Sequence, residues 1–283
     1  MAIKNQIKTV ILLGLLTALL LWVGHLVGGA RGLTIGLAFA IIMNFGSYWF
    51  SDKIVLAIYK AKKANKKEYP ELHKIIEELS KQAKIPKPEI YIIPTQTANA
   101  FATGRSPKHA AIAVTQGILK ILDKDELKGV LGHEMSHIVN RDTLITTIAA
   151  TIAGVISYVA FMARWAAIFG GGRDREGAGN IISLLVLAII TPLIATMLQL
   201  ALSRSREFMA DAKGARLSKQ PLALARALQK LDLAAKIAPM RKGNAATSSL
   251  FIVNPFTAKG IAALFSTHPS TAERVERLKR MKI

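Results

Sequence analysis

The chain has 283 residues, a formal net charge of +20, 51% hydrophobic residues and a mean hydropathy of +0.33. So much apolar sequence exceeds the needs of an ordinary soluble domain and predicts membrane spans. The absence of cysteine excludes disulfides, thiolate metal sites and cysteine nucleophiles, which leaves histidine and carboxylate as the metal-binding chemistry.

Residues 10–27 and 33–50 are almost uninterrupted apolar runs separated by Gly28-Gly29-Ala30-Arg31-Gly32, the pattern of a tight helical hairpin with spans of about 20 residues. No small-residue cleavage site stands out, so the first run reads as an anchor. Lys4 and Lys8 precede the hairpin, Arg31 alone lies at its tip, and Lys53, Lys60, Lys62, Lys63, Lys66 and Lys67 follow it. By the positive-inside bias, both termini and residues 52–142 face the cytoplasm. The cations cluster beside apolar runs, which points to an anionic inner leaflet. There is no zinc-finger spacing, base-reading basic helix or aromatic-rich basic platform, so no nucleic-acid partner is expected.

Residues 69–84 form a predicted amphipathic helix, ended by Pro86 and Pro88, and Glu89–Ile93 a short strand. Asn99-Ala100-Phe101-Ala102-Thr103-Gly104 reads as a strand and turn, and 110–114 as a second strand entering a helix at 117–122. In a zinc peptidase such a strand, lying over the active-site helix, would be the edge to which an extended substrate adds backbone hydrogen bonds. Asn99, Ala100, Ala111, Ile112 and Ala113 are the candidate substrate-holding residues. An ordinary interior hairpin is the competing reading.

His133-Glu134-Met135-Ser136-His137 follows. On a helix, this spacing sets two imidazoles one turn apart on one face, as a catalytic zinc requires, with Glu134 between them as general base. Asp123 and Glu126 form a capping pair for that helix, and Leu127, Val130, Leu131 and Ile138 recur at helical spacing. A third histidine six residues beyond His137 is excluded, because that position is Thr143 and the expected glycine is Asn140.

Residues 144–169 and 181–202 are two further apolar stretches, read as probable spans; a buried hairpin of the catalytic domain is the alternative, given Arg164 and Pro192. The loop at 173–176 would be external. If the His133 helix runs directly into the third stretch, His137 lies about 10 Å from its start. The metal would then sit near the membrane surface, where a scissile bond would belong to a membrane or membrane-bound protein.

In Ser203-Arg204-Ser205-Arg206-Glu207-Phe208-Met209-Ala210-Asp211, Glu207 and Asp211 share a helix face. Glu207 is the candidate third ligand, and Asp211 a carboxylate orienting a ligand imidazole through its other nitrogen. A solvated charged face is the competing reading of this pair. Residues 221–235 read as an amphipathic helix and 243–249 as a loop. Ser270 and Glu273 make a capping box beside His268 and Arg274, which are candidates for stabilising an oxyanion.

These motifs, in this order and over essentially the whole chain, resemble the HtpX family of membrane-bound zinc metallopeptidases, relatives of the type I CAAX prenyl proteases. The resemblance implies one Zn²⁺ per chain held by His133, His137 and Glu207, with catalysis by Glu134 and active-site roles for His268 and Arg274. It also implies proteolytic quality control of misfolded membrane proteins, often under stress, in the cell (inner) membrane. The expected architecture is mainly α with a small β-sheet (α+β), a multi-pass membrane protein with a cytoplasmic gluzincin-type metallopeptidase domain. Its parts are a hairpin over 1–50, catalytic segments over 51–143 and 203–283, and a second hydrophobic hairpin over 144–202. A narrow-substrate, prenyl-protein-type protease and a noncatalytic membrane chaperone or adaptor are the competing functions.

Overall fold

The computed structural model describes residues 2–152, 204–240, 245–255 and 269–282. Helix α1 is assigned over Ala2–Ile58, but it folds back on itself at Gly29, whose φ of +53° opens the left-handed turn. Gly32 packs against the Gly24 backbone so closely that a Cβ would overlap it, and further along Asn44 Nδ2 donates to Thr17 Oγ1 at 2.8 Å. The hairpin is therefore held by close backbone contact and a partly buried amide. Its outer faces remain apolar: Val10 is 69% exposed and Ile35 70%. The run Gly29–Ile58 is long and apolar enough to cross a membrane.

The second arm continues eight residues past the expected end at Phe50, because Val55, Leu56 and Tyr59 bury themselves against the sheet. After it come β1 (Lys62–Lys63), α2 (Pro70–Ala83), β2 (Glu89–Ile93), β3 (Ala100–Ser106), β4 (His109–Thr115) and α3 (Gln116–Ile121). The sheet order is β1-β2-β4-β3: β2 and β4 are parallel and the outer pairs antiparallel. The fold is thus mainly helical with a small mixed sheet. Strand β1 has no apolar alternation and escaped the sequence pattern; it exists because Lys62 and Lys63 pair with Ile92 and Tyr91.

Helix α4 (Lys124–Asn140) starts from the predicted capping box, with the Glu126 amide donating to Asp123 Oδ1 at 2.8 Å. It packs on β3, α2, α6 (Arg204–Ser218) and α7 (Pro221–Ile237). Leu127, Val130, Leu131, Met135 and Ile138 enter the main core together with Ile112, Val114, Leu224 and Leu228. A 3₁₀ turn (Ala245–Leu250) and helix α8 (Thr271–Lys279) complete the described residues.

Contrary to the expectation of one continuous helix, α4 stops at Asn140. Arg141 adopts left-handed φ (+58°), and a new helix, α5, is described over Asp142–Ile152. Ile145, Ile148, Ala149 and Ile152 of α5 pack on Leu12, Leu16 and Leu19 of α1. The rest of the third apolar stretch and all of the fourth up to 202 lie outside the described residues.

Candidate metal centre

The two helices that carry the candidate ligands cross at a pair of glycines. A Cβ on Gly132 would lie 2.7 Å from the Gly214 carbonyl oxygen, and one on Gly214 would lie 2.5 Å from the His133 backbone nitrogen. This close approach brings Glu207 and Asp211 on α6 up to His133 and His137 on α4. Gly214→Ala should wedge the helices apart, lowering stability by about 1–3 kcal/mol and weakening metal retention; chemical denaturation and metal content measure the two effects. Unchanged values would show that the crossing has slack.

At the crossing, His133 Nε2 and His137 Nε2 lie 3.0 Å apart, with Glu207 Oε2 3.7 Å from the first and Oε1 3.6 Å from the second. The three side chains form the metal-competent cluster found among the described residues. On the opposite ring edges, His133 Nδ1 donates to Asp211 Oδ1 at 2.9 Å and His137 Nδ1 to Asp142 Oδ2 at 3.2 Å. With both Nδ1 protons committed to carboxylates, both Nε2 atoms present lone pairs towards the same space. That juxtaposition is repulsive unless a proton or a metal ion lies between them; the carboxylates around His137 raise its pKa, so a bound metal would displace a proton there.

Two further observations test the fit. Glu207 Oε2 is buried with no hydrogen bond and meets His133 Nε2 and Arg274 Nη1 only at 3.7 Å, which leaves it able to take a metal bond. Four carboxylates gather here, those of Glu134, Asp142, Glu207 and Asp211, while two guanidiniums pair with them, Arg206 at 3.6 Å from Asp142 and Arg274 at 2.7 Å from Asp211. So acidic a surrounding favours a cation where the ligands converge. Nitrogen and oxygen donors of this kind suit zinc.

Electrostatics follows from burial. Desolvation lowers the pKa of His133, so the ring stays neutral as a ligand must. Against desolvation, which would lower it, Asp142, Glu207 and Glu134 raise the His137 imidazole to about 9. Burial pushes the Glu134 carboxyl up to about 8; His137 and the Ala102 amide oppose the shift and Glu207 adds to it. Against its own desolvation, Asp211 is held down at about 2 by Arg274 and His133.

Asp142 went unrecognised in the sequence, since nothing in the pattern announces the left-handed break that turns it back onto His137. Asp142→Asn should weaken metal affinity about 10–100-fold while leaving the fold intact, as read by chelator competition. An unaltered affinity would reduce the contact to a helix-end hydrogen bond.

Arg274 is not where an oxyanion donor would be. The side chain is 2% exposed; Nε and Nη2 donate to Asp211 at 2.8 and 2.7 Å, and Nη1 to the Ile252 carbonyl at 2.7 Å. Three of its five N–H groups are taken by these bonds and Nη1 lies 3.7 Å from Glu207 Oε2, so the guanidinium braces the metal ligands from behind. His268 lies outside the described residues.

The expected substrate strand also needs correction. Ala111, Ile112 and Ala113 are on β4, which is paired on both sides by β2 and β3 and offers no free edge. Asn99 is fully buried and donates to the Val253 carbonyl at 2.7 Å, and the Ala100 carbonyl already accepts from the Ile252 amide. The outer edge is β3 itself. Along it, Thr143 Oγ1 occupies the Gly104 carbonyl, and Ala102, whose amide donates to Glu134, is the edge position that lines the cavity. Ser249–Ile252 form the opposite wall of that cavity. Its volume of about 20 Å³ has room for about one water.

Fold and site together define a metallopeptidase built around a His-Glu-x-x-His helix, with its third ligand on a second helix. Residues 66–282 match peptidase family M48. The chain is 52% identical to a protease HtpX homolog of Pyrococcus furiosus, over 99% of this chain and 97% of that protein. It is 49% identical to one from Syntrophobacter fumaroxidans, over 98% and 99%. The crystal structure of S. mikatae Ste24p shares the fold with a TM-score of 0.52 at 21% identity, matched over 98% of this chain and 66% of Ste24p. The chain belongs to peptidase family M48, and within that family it is an HtpX homolog.

Proposed function

We propose that the chain is a zinc-dependent endopeptidase, with one Zn²⁺ per chain, which cleaves misfolded or unfolded membrane proteins at the cytoplasmic face of the cell (inner) membrane. The observation that carries this reading is the convergence of His133 Nε2, His137 Nε2 and the Glu207 carboxylate beside the buried Glu134. His133, His137 and Glu207 would hold the zinc, which would supply Lewis-acid activation of a water, lowering its pKa from 15.7 towards about 7. Glu134 takes the water's proton and passes it to the leaving amine. Asp211 and Asp142 fix the ring orientations, and Arg274 anchors Asp211 as a positioning residue.

A peptide would run along β3 with Ala102 as its contact. Because the cavity admits little more than a water, Ser249–Ile252 must yield for a substrate to enter. His268 is the proposed oxyanion donor, and His268→Ala should lower turnover about 10²–10³-fold. A change in KM alone would assign it to binding. Membrane substrates are supported by position: the ligand-bearing helix α4 is followed after one residue by α5, which packs on the α1 hairpin. On this reading α1 crosses the membrane, as do 144–169 and 181–202, making the protein multi-pass.

Metal analysis paired with proteolysis decides between the competing functions. Equimolar zinc and cleavage of an unfolded membrane protein are expected. Cleavage confined to a prenylated peptide would favour the narrow-substrate protease. Zinc binding without any cleavage would favour the chaperone.

A further inference from the structure

Helix α7 buries Ala223, Leu224, Ala227, Leu228 and Leu231 in the core, yet its far end leaves Leu233 60% and Ile237 75% exposed. Exposed aliphatic side chains of this size are unremarkable singly, but these two do not stand alone. Ile237 lines a groove of about 650 Å³ together with Tyr59, Lys60, Pro94 and Gln96, at the point where α1 ends. Ile54 and Ile58, one turn apart at the end of α1, are exposed, and Tyr59 and Lys60 of that groove follow them in the chain. Around it stand cations. Lys53 lies over the Phe50 ring at 5.5 Å, Lys60 follows α1 directly, and Lys120 is hydrogen-bonded to the neutral Gln96 amide, which leaves its charge in place. Of the nearby carboxylates, Asp232 is paired with Lys236, and Asp52 is half-buried on α1.

We propose that the end of α7 around Leu233 and Ile237, with the Lys60 groove, is a second membrane contact that seats the catalytic domain on an anionic leaflet. The inference rests on the reading of α1 as a membrane helix. Two arguments select a bilayer as the occupant. Ile237 shares its groove with Tyr59 and Lys60, which directly follow the exposed Ile58, so a surface that covers the end of α1 lies next to the aliphatic face. The flanking lysines supply the charge complementarity that an amphipathic interfacial contact requires. A contact here, on the helix packed behind α4, would fix how the catalytic domain stands over the bilayer.

The chain lacks cysteine, so single cysteines can be introduced and labelled with an environment-sensitive fluorophore in the full-length protein. Ile237→Cys reports the proposed contact. Lys81→Cys on α2, a helix without exposed large aliphatics, is the reference. Each variant is reconstituted in vesicles of equimolar phosphatidylcholine and phosphatidylglycerol containing a lipid with a nitroxide near the headgroup. The Ile237 label should be quenched well beyond the Lys81 label, and less so in pure phosphatidylcholine. Lys60→Gln and Lys120→Gln should each shift the docked-to-undocked ratio about fivefold towards undocked.

Co-flotation of the protein with the vesicles tests the anchor independently. A chain that floats while its Ile237 label is quenched no more than the reference overturns the second contact and leaves the anchor standing. A chain that fails to float overturns both. Burial of the label that ignores the lipid nitroxide and grows with protein density would assign the face to a second copy of the chain, which also overturns the proposal.

Discussion

Glu134→Gln should retain zinc while losing about 10²–10⁴-fold in peptide cleavage, the range a positioned general base contributes. The residue sits between the two ligands in sequence but outside the cluster that converges on the metal position. Its carboxyl is fully buried and accepts from the Ala102 amide, and burial raises its pKa, which strengthens the ionised group as a proton acceptor. Glutamine keeps the shape and can still accept from Ala102, so the fold and the ligands should be unaffected. What it cannot do is take a proton from water. Cleavage of an unfolded membrane protein, with zinc measured on the same preparation, separates these effects. Undiminished turnover would remove Glu134 from the mechanism.

Glu207→Ala should abolish stoichiometric zinc, a larger effect than that expected at Asp142, because it deletes one of three donors instead of the partner of a donor. Little else competes for the role. Asp211 is engaged by His133 Nδ1 and by two Arg274 nitrogens, while Glu207 Oε2 makes no hydrogen bond and meets His133 Nε2 and Arg274 Nη1 only at 3.7 Å. The substitution also leaves Arg274 with a single carboxylate, so some loss of stability should accompany loss of metal. Zinc that stays equimolar with the chain after dialysis against chelator would disprove Glu207 as a ligand and return Asp211 to consideration.

The metal ligands were legible in the sequence because each pair lies on a single helix, where spacing alone fixes the shared face: His133 with His137, and Glu207 with Asp211. The start of α4 was legible for a similarly local reason, the Asp123 and Glu126 cap. What escaped depended on contacts between segments distant in the chain. Asp142 reaches His137 only because Arg141 breaks the helix, a backbone choice that the residue type does not announce. Arg274 could be placed near the site by motif, but its engagement with Asp211 and Ile252 needed the packing of α8 on α7 and of both against α6. Strand order was likewise hidden. Alternation identifies β3 and β4 as strands, yet only the pairing of β2 with β4 shows that β3 holds the outer edge.

The glycine crossing of α4 and α6 bears on whether this site could be moved to another protein. The separation of its ligands is set by main chain against main chain, at Gly132 and Gly214, and side-chain repacking cannot adjust it. A host scaffold given His133, Glu134, His137 and Glu207 on helices spaced by ordinary side chains would hold the carboxylate too far from the imidazoles. The smallest portable unit is therefore a helix pair together with its bare crossing point, and the five-residue motif by itself would carry little of the chemistry with it.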